Sequence, residues 1–294
     1  MKKMMTWALA LLAAFSVQAQ QVEPELADPK PGAQETWNAV KKTTLAWGST
    51  DVRYSRSQPA TGAKALVLDA WRGERVSAQA VLSTPVDLSR VTMEVSDLKC
   101  GKSIIPAASV RKYFVRYVMT DWHNNKADSF LLPDHLSPDA EMKVAAHTTR
   151  PMWLDIRVPQ DAKPGTYKGM LSVTFDGQTL SLPLSLQVCS RVLPAPSEWS
   201  FHLDLWQNPY AVARYFNVPL WSQEHFDRMR PIMKLLADAG EKVITCSIIQ
   251  HPWNSQTYDP FESMIAKMRQ IDGTWKYDYT VFDRWVQFMM DLGI

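Results

Sequence analysis

Residues 164–188 read PGTYKGMLSVTFDGQTLSLPLSLQV, and this stretch decides the fold of the chain's first half. Pro164-Gly165 makes a turn, and Tyr167, Met170, Leu171, Val173 and Phe175 form a strand-like run. Asp176-Gly177 is a two-residue hairpin signature, because both central positions of such a turn need positive φ. Leu180, Leu182, Leu184, Leu186 and Val188 then alternate with residues such as Ser181, Ser185 and Gln187. A period of two puts one set of side chains on a buried face and the other on a wet one. Outward from this hairpin, the segments Ala65 to Ala70, Arg75 to Leu82, Arg90 to Val95, Ser109 to Val118 and Met152 to Val158 carry the same strand character. No helical period separates them, so residues 20–195 are predicted to be an antiparallel β-sandwich. Thr120 to Thr149 lacks any period and reads as a long loop.

Leu193-Pro194-Ala195-Pro196 is a stiff break, after which the pattern changes. Trp199 to Gln207 reads as a strand. Ser222 caps a helix with Phe226, Met229, Ile232, Met233 and Leu236 on one face, ending at Gly240, with Pro231 expected to kink or split it. Lys242 to Gln250 reads as a second strand, and Asp272-Gly273 as the tip of a small hairpin. Thr280 caps a last helix carrying Phe282, Trp285, Val286, Met289 and Leu292. Strand–helix alternation is the grammar of an α/β domain. A closed (β/α)8 barrel needs eight such units in typically ~250 residues. Residues 196–294 are therefore expected to hold only its first two units, an incomplete barrel that stops where a third strand should begin.

Composition narrows the function. The 294 residues are 46% hydrophobic and 21% charged, with net charge +2 and no long basic run, which argues against nucleic acid as a partner. Lys2 and Lys3, the apolar run Trp7 to Phe15 and Val17-Gln18-Ala19 form an export signal over residues 1–19. That run is too short to span a bilayer and no later one is long enough, so no membrane span is predicted. The mature chain is expected to start near Gln20 and to be periplasmic or extracellular. Cys100, Cys189 and Cys246 are few and far apart, which argues against a disulfide framework; Cys189 and Cys246 lie in apolar runs and read as buried, inert thiols. His123, His135, His147 and His225 lack metal-ligand spacing, and there is no phosphate-cradling glycine loop and no nucleophile elbow, so neither cofactor nor metal is expected. Tryptophan is abundant, at 12 residues, a side chain that stacks on the C–H faces of sugar rings as well as filling cores.

The later part of the sequence carries a resemblance. Leu203-Asp204-Leu205-Trp206-Gln207 is followed by Trp221-Ser222, Leu236-Ala237-Asp238-Ala239-Gly240, Val243-Ile244-Thr245 and Pro252-Trp253. After these come Asp272-Gly273-Thr274-Trp275 and Phe282-Asp283-Arg284-Trp285. In this order they resemble family 123 glycoside hydrolases, the β-N-acetylgalactosaminidases, and the Pro164-Gly165-Thr166-Tyr167-Lys168-Gly169 hairpin is similar to the sandwich preceding their barrel. The resemblance implies retaining, substrate-assisted hydrolysis, an exception to the two-carboxylate scheme. In it the substrate's acetamido oxygen attacks the anomeric carbon, an Asp orients that group, and the adjacent Glu protonates the leaving oxygen. No Asp-Glu dipeptide occurs in the sequence, and the nearest approach, Asp139-Ala140-Glu141, falls in the β region, so no catalytic residue is assigned.

Barrel enzymes place functional groups at the C-terminal ends of strands. Here those ends carry Trp206, Gln207, His251 and Trp253, the candidate substrate-binding residues, with a glycan as the expected partner. The alternative is that both indoles pack under loops and His251 is a satisfied core histidine. His202 and Asp204 read as structural hydrogen-bonding groups. Two rival functions stay open: a carbohydrate-binding or scaffold sandwich without catalysis, and a glycan-processing enzyme of another barrel family.

Overall fold

The computed structural model describes residues 24–32, 34–121, 126–254 and 256–294, so the predicted export signal lies outside the described residues. The chain divides into two compact units, residues 1–192 and 193–294.

In the first unit the deciding hairpin forms as its residues require. Asp176 and Gly177 have φ of 44° and 79°, the positive pair of a type I′ turn. They join strands Gly165–Phe175 and Gln178–Val192, paired over their full facing length. In chain order the strands are β1 (Thr44–Gly48), β2 (Leu66–Arg72), β3 (Arg75–Thr84), β4 (Leu88–Val95), β5 (Leu98–Cys100), β6 (Ser103–Ile105) and β7 (Val110–Thr120). They continue with β8 (Phe130–Ser137), β9 (Glu141–Val144), β10 (Thr148–Arg157), β11 (Gly165–Phe175) and β12 (Gln178–Val192). One sheet runs β1-β3-β10-β7-β8, and the other runs β2-β12-β11-β4-β9 with β5 and β6 beside β11. Leu82, Phe114, Met152 and Leu154 of the first sheet meet Leu171, Val173, Leu184 and Leu186 of the second in a dry core. Each such side chain contributes about 1.5–3 kcal/mol when fully buried.

Two expectations need correction here. The sandwich is not wholly antiparallel, because β2 runs parallel to β12, Leu184 facing Leu66 and Val188 facing Ala70. These strands lie far apart in sequence, so no hairpin sets their relative direction. The segment Thr120 to Thr149 is not a long loop: it holds β8, β9 and the start of β10. Its period is hidden by an extra residue, Asp134, where Arg116 and Tyr117 face His135 and Pro133, and by Pro133 itself, which an edge strand tolerates because one side of its backbone needs no partner.

The first sheet contains a buried charge. Arg150 is 4% exposed, and its fork meets Glu25 through Nη1–Oε1 at 2.5 Å and Nη2–Oε2 at 2.8 Å. Arg150 also donates to the Val115 carbonyl and stands 5.0 Å from the Tyr117 ring centroid. Tyr117 in turn donates its N–H to Glu25. Burial pushes the Glu25 carboxyl upward, but Arg150, the Tyr117 N–H and Arg56 outweigh it and hold the group below its usual value.

The second unit holds α1 (Pro209–Phe216), α2 (Gln223–Asp238), the hairpin strands β13 (Ala266–Arg269) and β14 (Trp275–Asp278), and α3 (Thr280–Asp291). The Ser222 hydroxyl caps α2 by accepting from the His225 N–H at 3.2 Å, and the chain leaves past Gly240 at φ 88°. α2 runs through Pro231 without ending; Pro231 lies on the exposed face, where the carbonyl that loses its helical partner is open to solvent. The last helix starts with Thr280 as its first residue rather than its cap, and Asp278 Oδ1 accepts from both the Thr280 N–H and hydroxyl. Phe226, Met229, Met233, Trp285, Phe288 and Met289 form the core of this unit. α1 was not expected, although Asn208-Pro209 is a cap followed by the proline that suits a first helical turn.

The two strands expected at Trp199 to Gln207 and Lys242 to Gln250 do not form as regular strands, and the barrel they would begin is not seen among the described residues. The segments lie side by side but share one parallel bridge, Leu203 with Glu241. Cys100, Cys189 and Cys246 are free thiols, half-buried rather than buried, and burial raises the pKa of Cys246.

Replacing Glu25 with Gln strands a buried guanidinium, so E25Q should lower unfolding free energy by about 3 kcal/mol near neutral pH. Because the folded carboxyl titrates below its ordinary 4.5, its contribution is complete above that pH and is lost as the pH falls through the lowered value. Denaturant unfolding should therefore show a gap between wild type and E25Q that closes in acid; a gap that holds constant with pH contradicts the assignment.

Candidate functional site

The candidate residues are gathered by a loop that closes on itself. The His251 N–H donates to the Phe261 carbonyl at 2.8 Å, which brings the ends of the loop together. His251 and Asn254 take φ of 49° and 45°, left-handed geometry that Asn and His tolerate better than most residues. The Asn254 N–H donates to the His251 carbonyl and the Gln256 N–H to the Trp253 carbonyl, so the intervening turns are bonded internally.

Trp253, carried on this loop, stacks on Trp206 with ring centroids 4.5 Å apart and planes at 29°. Trp206 is 67% exposed, so a broad indole surface faces solvent. Trp253 is held from behind by Phe261, edge to face at 6.2 Å. Beside the pair lies a hollow of about 220 Å³ lined by His251, Trp253, Asn254, Thr257, Tyr258 and Asp259, among others.

The floor of the loop is an ion pair that sequence reading missed. Asp259, 6% exposed, receives Arg214 Nε at 2.5 Å and Nη2 at 3.1 Å, and the same guanidinium stands 4.7 Å from the Tyr258 ring centroid. The hydrogen bond from Arg214 to Asp259 raises the guanidinium's pKa further. The stem of the loop is tied to α1 through Tyr210, whose hydroxyl donates to the Glu262 carbonyl at 2.6 Å; burial raises the pKa of this phenol. Ser247 donates to the same carbonyl at 2.7 Å.

Gln207 does not join this rim as a free amide. It is 3% exposed, its Nε2 donates to the carbonyls of Leu205 and Val243, and its Oε1 accepts from the Thr245 N–H at 2.7 Å. Its own N–H donates to Thr245 Oγ1 at 3.2 Å. Glu241, 1% exposed, accepts from the N–H groups of Leu205, Lys242 and Val243. Two buried side chains thus replace the missing strand ladder and fix where Trp206 projects. His202 and Asp204 lie exposed rather than inside a barrel. His225 is a satisfied core histidine: its Nδ1 accepts from the Trp221 N–H, so its Nε2 carries the proton donated to the Pro209 carbonyl. Burial lowers its pKa.

The arrangement suits recognition more than proton transfer. Stacked indoles and the exposed Tyr258 offer flat apolar faces, and His251, Asn254 and Thr257 offer polar edges for hydroxyl or acetamido groups. Two carboxylates of this unit, Asp259 and Glu241, are both engaged. Among the described residues no group of three His, Cys, Asp or Glu side chains is placed to hold a metal, and no helix is long and apolar enough to cross a membrane.

Comparison with known proteins places this geometry. The signature of the glycoside hydrolase 123 N-terminal domain matches residues 47–175, and that of the glycoside hydrolase 123 catalytic domain matches residues 206–294. Among solved structures, a family 123 glycoside hydrolase from Clostridium perfringens, described in connection with glycolipid glycan hydrolysis, superposes with TM-score 0.80 at 26% identity. That match covers 86% of this chain and 46% of the other, so the chain spans about half the length of its relative. A PapD-like domain of human CEP192 (TM-score 0.25, 13% identity, covering 56% of this chain and 94% of that one) carries no argument. The same holds for the CooA pilin subunit of enterotoxigenic Escherichia coli (0.28, 11%, 51% and 99%). No curated protein matches the sequence. With both domain signatures in the family's order and one solved member superposing over most of the chain, this protein belongs to family 123 of the glycoside hydrolases.

Proposed function

We propose that this chain supplies the sandwich and the sugar-recognising part of the catalytic domain of an exported hydrolase acting on terminal β-linked N-acetylgalactosamine. The observation that carries the reading is the stacked Trp206–Trp253 pair on a loop within the segment matching the family's catalytic domain. Trp206, Trp253 and His251 contact the sugar in this reading, while Gln207 acts as a positioning residue through its backbone bonds. Residues 196–294 are the opening of the family's (β/α)8 barrel, residues 20–195 its sandwich, and residues 1–19 an export signal. A glycan on a lipid or protein carrier is the substrate class, in keeping with the glycolipid work of the Clostridium relative.

Hydrolysis follows the retaining, substrate-assisted route: the acetamido oxygen attacks the anomeric carbon, an Asp steadies it and a neighbouring Glu protonates the leaving group. These 294 residues contain no such Asp-Glu pair. A second reading, a non-catalytic glycan-binding protein, rests on the same stacked indoles.

Two measurements test the sugar recognition that both readings share. Tryptophan fluorescence titrated with N-acetylgalactosamine should change saturably, and W206A should weaken binding about tenfold, the loss of roughly one stacking contact. Galactose, lacking the acetamido group, should bind more weakly, and equal affinity for the two sugars would contradict the acetamido assignment. W206A should leave the thermal midpoint nearly unchanged, whereas Q207A should destabilise by about 1–3 kcal/mol because it leaves buried peptide groups unpaired.

Incubated with 4-nitrophenyl 2-acetamido-2-deoxy-β-galactopyranoside, the 294-residue chain should release no nitrophenol above background. Turnover surviving repeated purification would mean that another pair of groups in this chain does the chemistry.

A further inference from the structure

The sandwich carries a hollow of its own, with features unlike the rest of its solvated surface. Along β2 the residues Val67, Asp69 and Trp71 point outward, alternating with Leu66, Leu68 and Ala70, which pack toward the core. Register aligns Asp69 with Gln187 of β12 and Gln187 with Thr166 of β11, so three polar side chains cross the sheet in one row. Adjacent strands set their spacing near ~4.8 Å. None of these three side chains hydrogen-bonds to another described residue in the structure.

The row opens into a cavity of about 450 Å³ whose lining also includes Trp71 and Glu74. Volumes of ~300–1,000 Å³ are typical of small-ligand sites. The local fold explains why a hollow forms on a sheet face. The pairing of β12 with β2 shifts register between Val188 and Val192, and such irregularities re-aim side chains and lift one strand off its neighbour. Gly165, at φ 146°, starts β11 beside the same place.

Trp71 is 41% exposed yet firmly mounted. Its backbone N–H donates to Glu74 Oε2 at 2.6 Å, and the turn beyond it is tied down by Gly73 N–H to the Val158 carbonyl and Val158 N–H to the Glu74 carbonyl. Arg191 stands 5.8 Å from the indole centroid. An ordinary outer sandwich face has polar residues in rows, but not a fixed, half-exposed indole at the edge of a bulge-made hollow.

We infer that this hollow is a glycan-binding site of the sandwich, taking a neutral pyranose unit. The indole supplies an apolar face for the ring's C–H groups, and Asp69, Gln187 and Thr166 supply an acceptor, an amide and a hydroxyl for its hydroxyl groups. Asp69 and Glu74 set the charge preference, since a sulfated or uronic ligand would meet two carboxylates. The site lies wholly on the first unit and does not depend on the N-acetylgalactosamine reading of the loop at 251–261.

Native affinity electrophoresis of the full chain tests this, with a neutral β-glucan, a neutral galactan or chondroitin sulfate cast in the gel. At least one neutral polysaccharide should retard the wild type, and chondroitin sulfate should not. W71A and Q187A should each weaken the retardation about tenfold. Gln187 is exposed on the outer face, so Q187A keeps the test open if W71A misfolds, which circular dichroism would show. No retardation by either neutral polysaccharide, retention of Q187A equal to wild type, or equal retardation by chondroitin sulfate would each overturn the inference.

Discussion

Buried peptide groups have to be hydrogen-bonded, and along the paired segments 203–207 and 241–245 most of the partners come from side chains rather than from a ladder. Glu241 collects three backbone N–H groups and Gln207 serves two carbonyls and one N–H. Each unpaired group would cost on the order of 1–3 kcal/mol, so these two side chains decide whether the segments can stay buried side by side at all. The position of Trp206 follows directly, because it is the residue before Gln207 and projects from a backbone fixed on its other side. The platform is therefore held by a polar network beneath it. In the first unit the same demand is met by ladders, and a charge buried among them, Arg150, is matched by Glu25 from the chain's early residues.

Where residues specify structure locally, the sequence was readable. The hairpin at Asp176-Gly177 was legible because turn chemistry and strict alternation point to the same answer, and the Ser222 cap and the apolar stripe of α2 were legible for the same reason. Thr120 to Thr149 was not, because Pro133 and a register shift break the period that identifies a strand. The stretches 199–207 and 242–250 misled in the opposite direction. A short apolar run shows that a segment is buried without showing how its backbone is bonded. α1 was overlooked although Asn208-Pro209 announced it; its eight residues are too few to display a period with force.

The site was half legible for a similar reason. Trp206, His251 and Trp253 could be chosen by residue type and by their place at the ends of apolar runs, and the structure does bring the two indoles into contact. Gln207, chosen on the same grounds, points to the backbone, since nothing local distinguishes an amide aimed at ligand from one aimed at a neighbouring peptide. The Arg214–Asp259 pair was invisible because its partners stand 45 residues apart and nothing in either segment marks them for each other.

That ion pair bears on what the loop is for. A loop with two residues in left-handed geometry would lose considerable entropy if it ordered only when a sugar arrived. Asp259, Thr257, Tyr210 and Ser247 remove much of that cost beforehand by bonding the loop to itself and to α1. Trp253 is thus presented already stacked on Trp206, and binding energy is not spent on arranging it. The same bonds take these groups out of proton transfer. A carboxylate locked by a guanidinium, or accepting three peptide N–H groups, has its oxygens occupied by the fold rather than open to a substrate. The groups around the platform are thus spent on making its shape permanent.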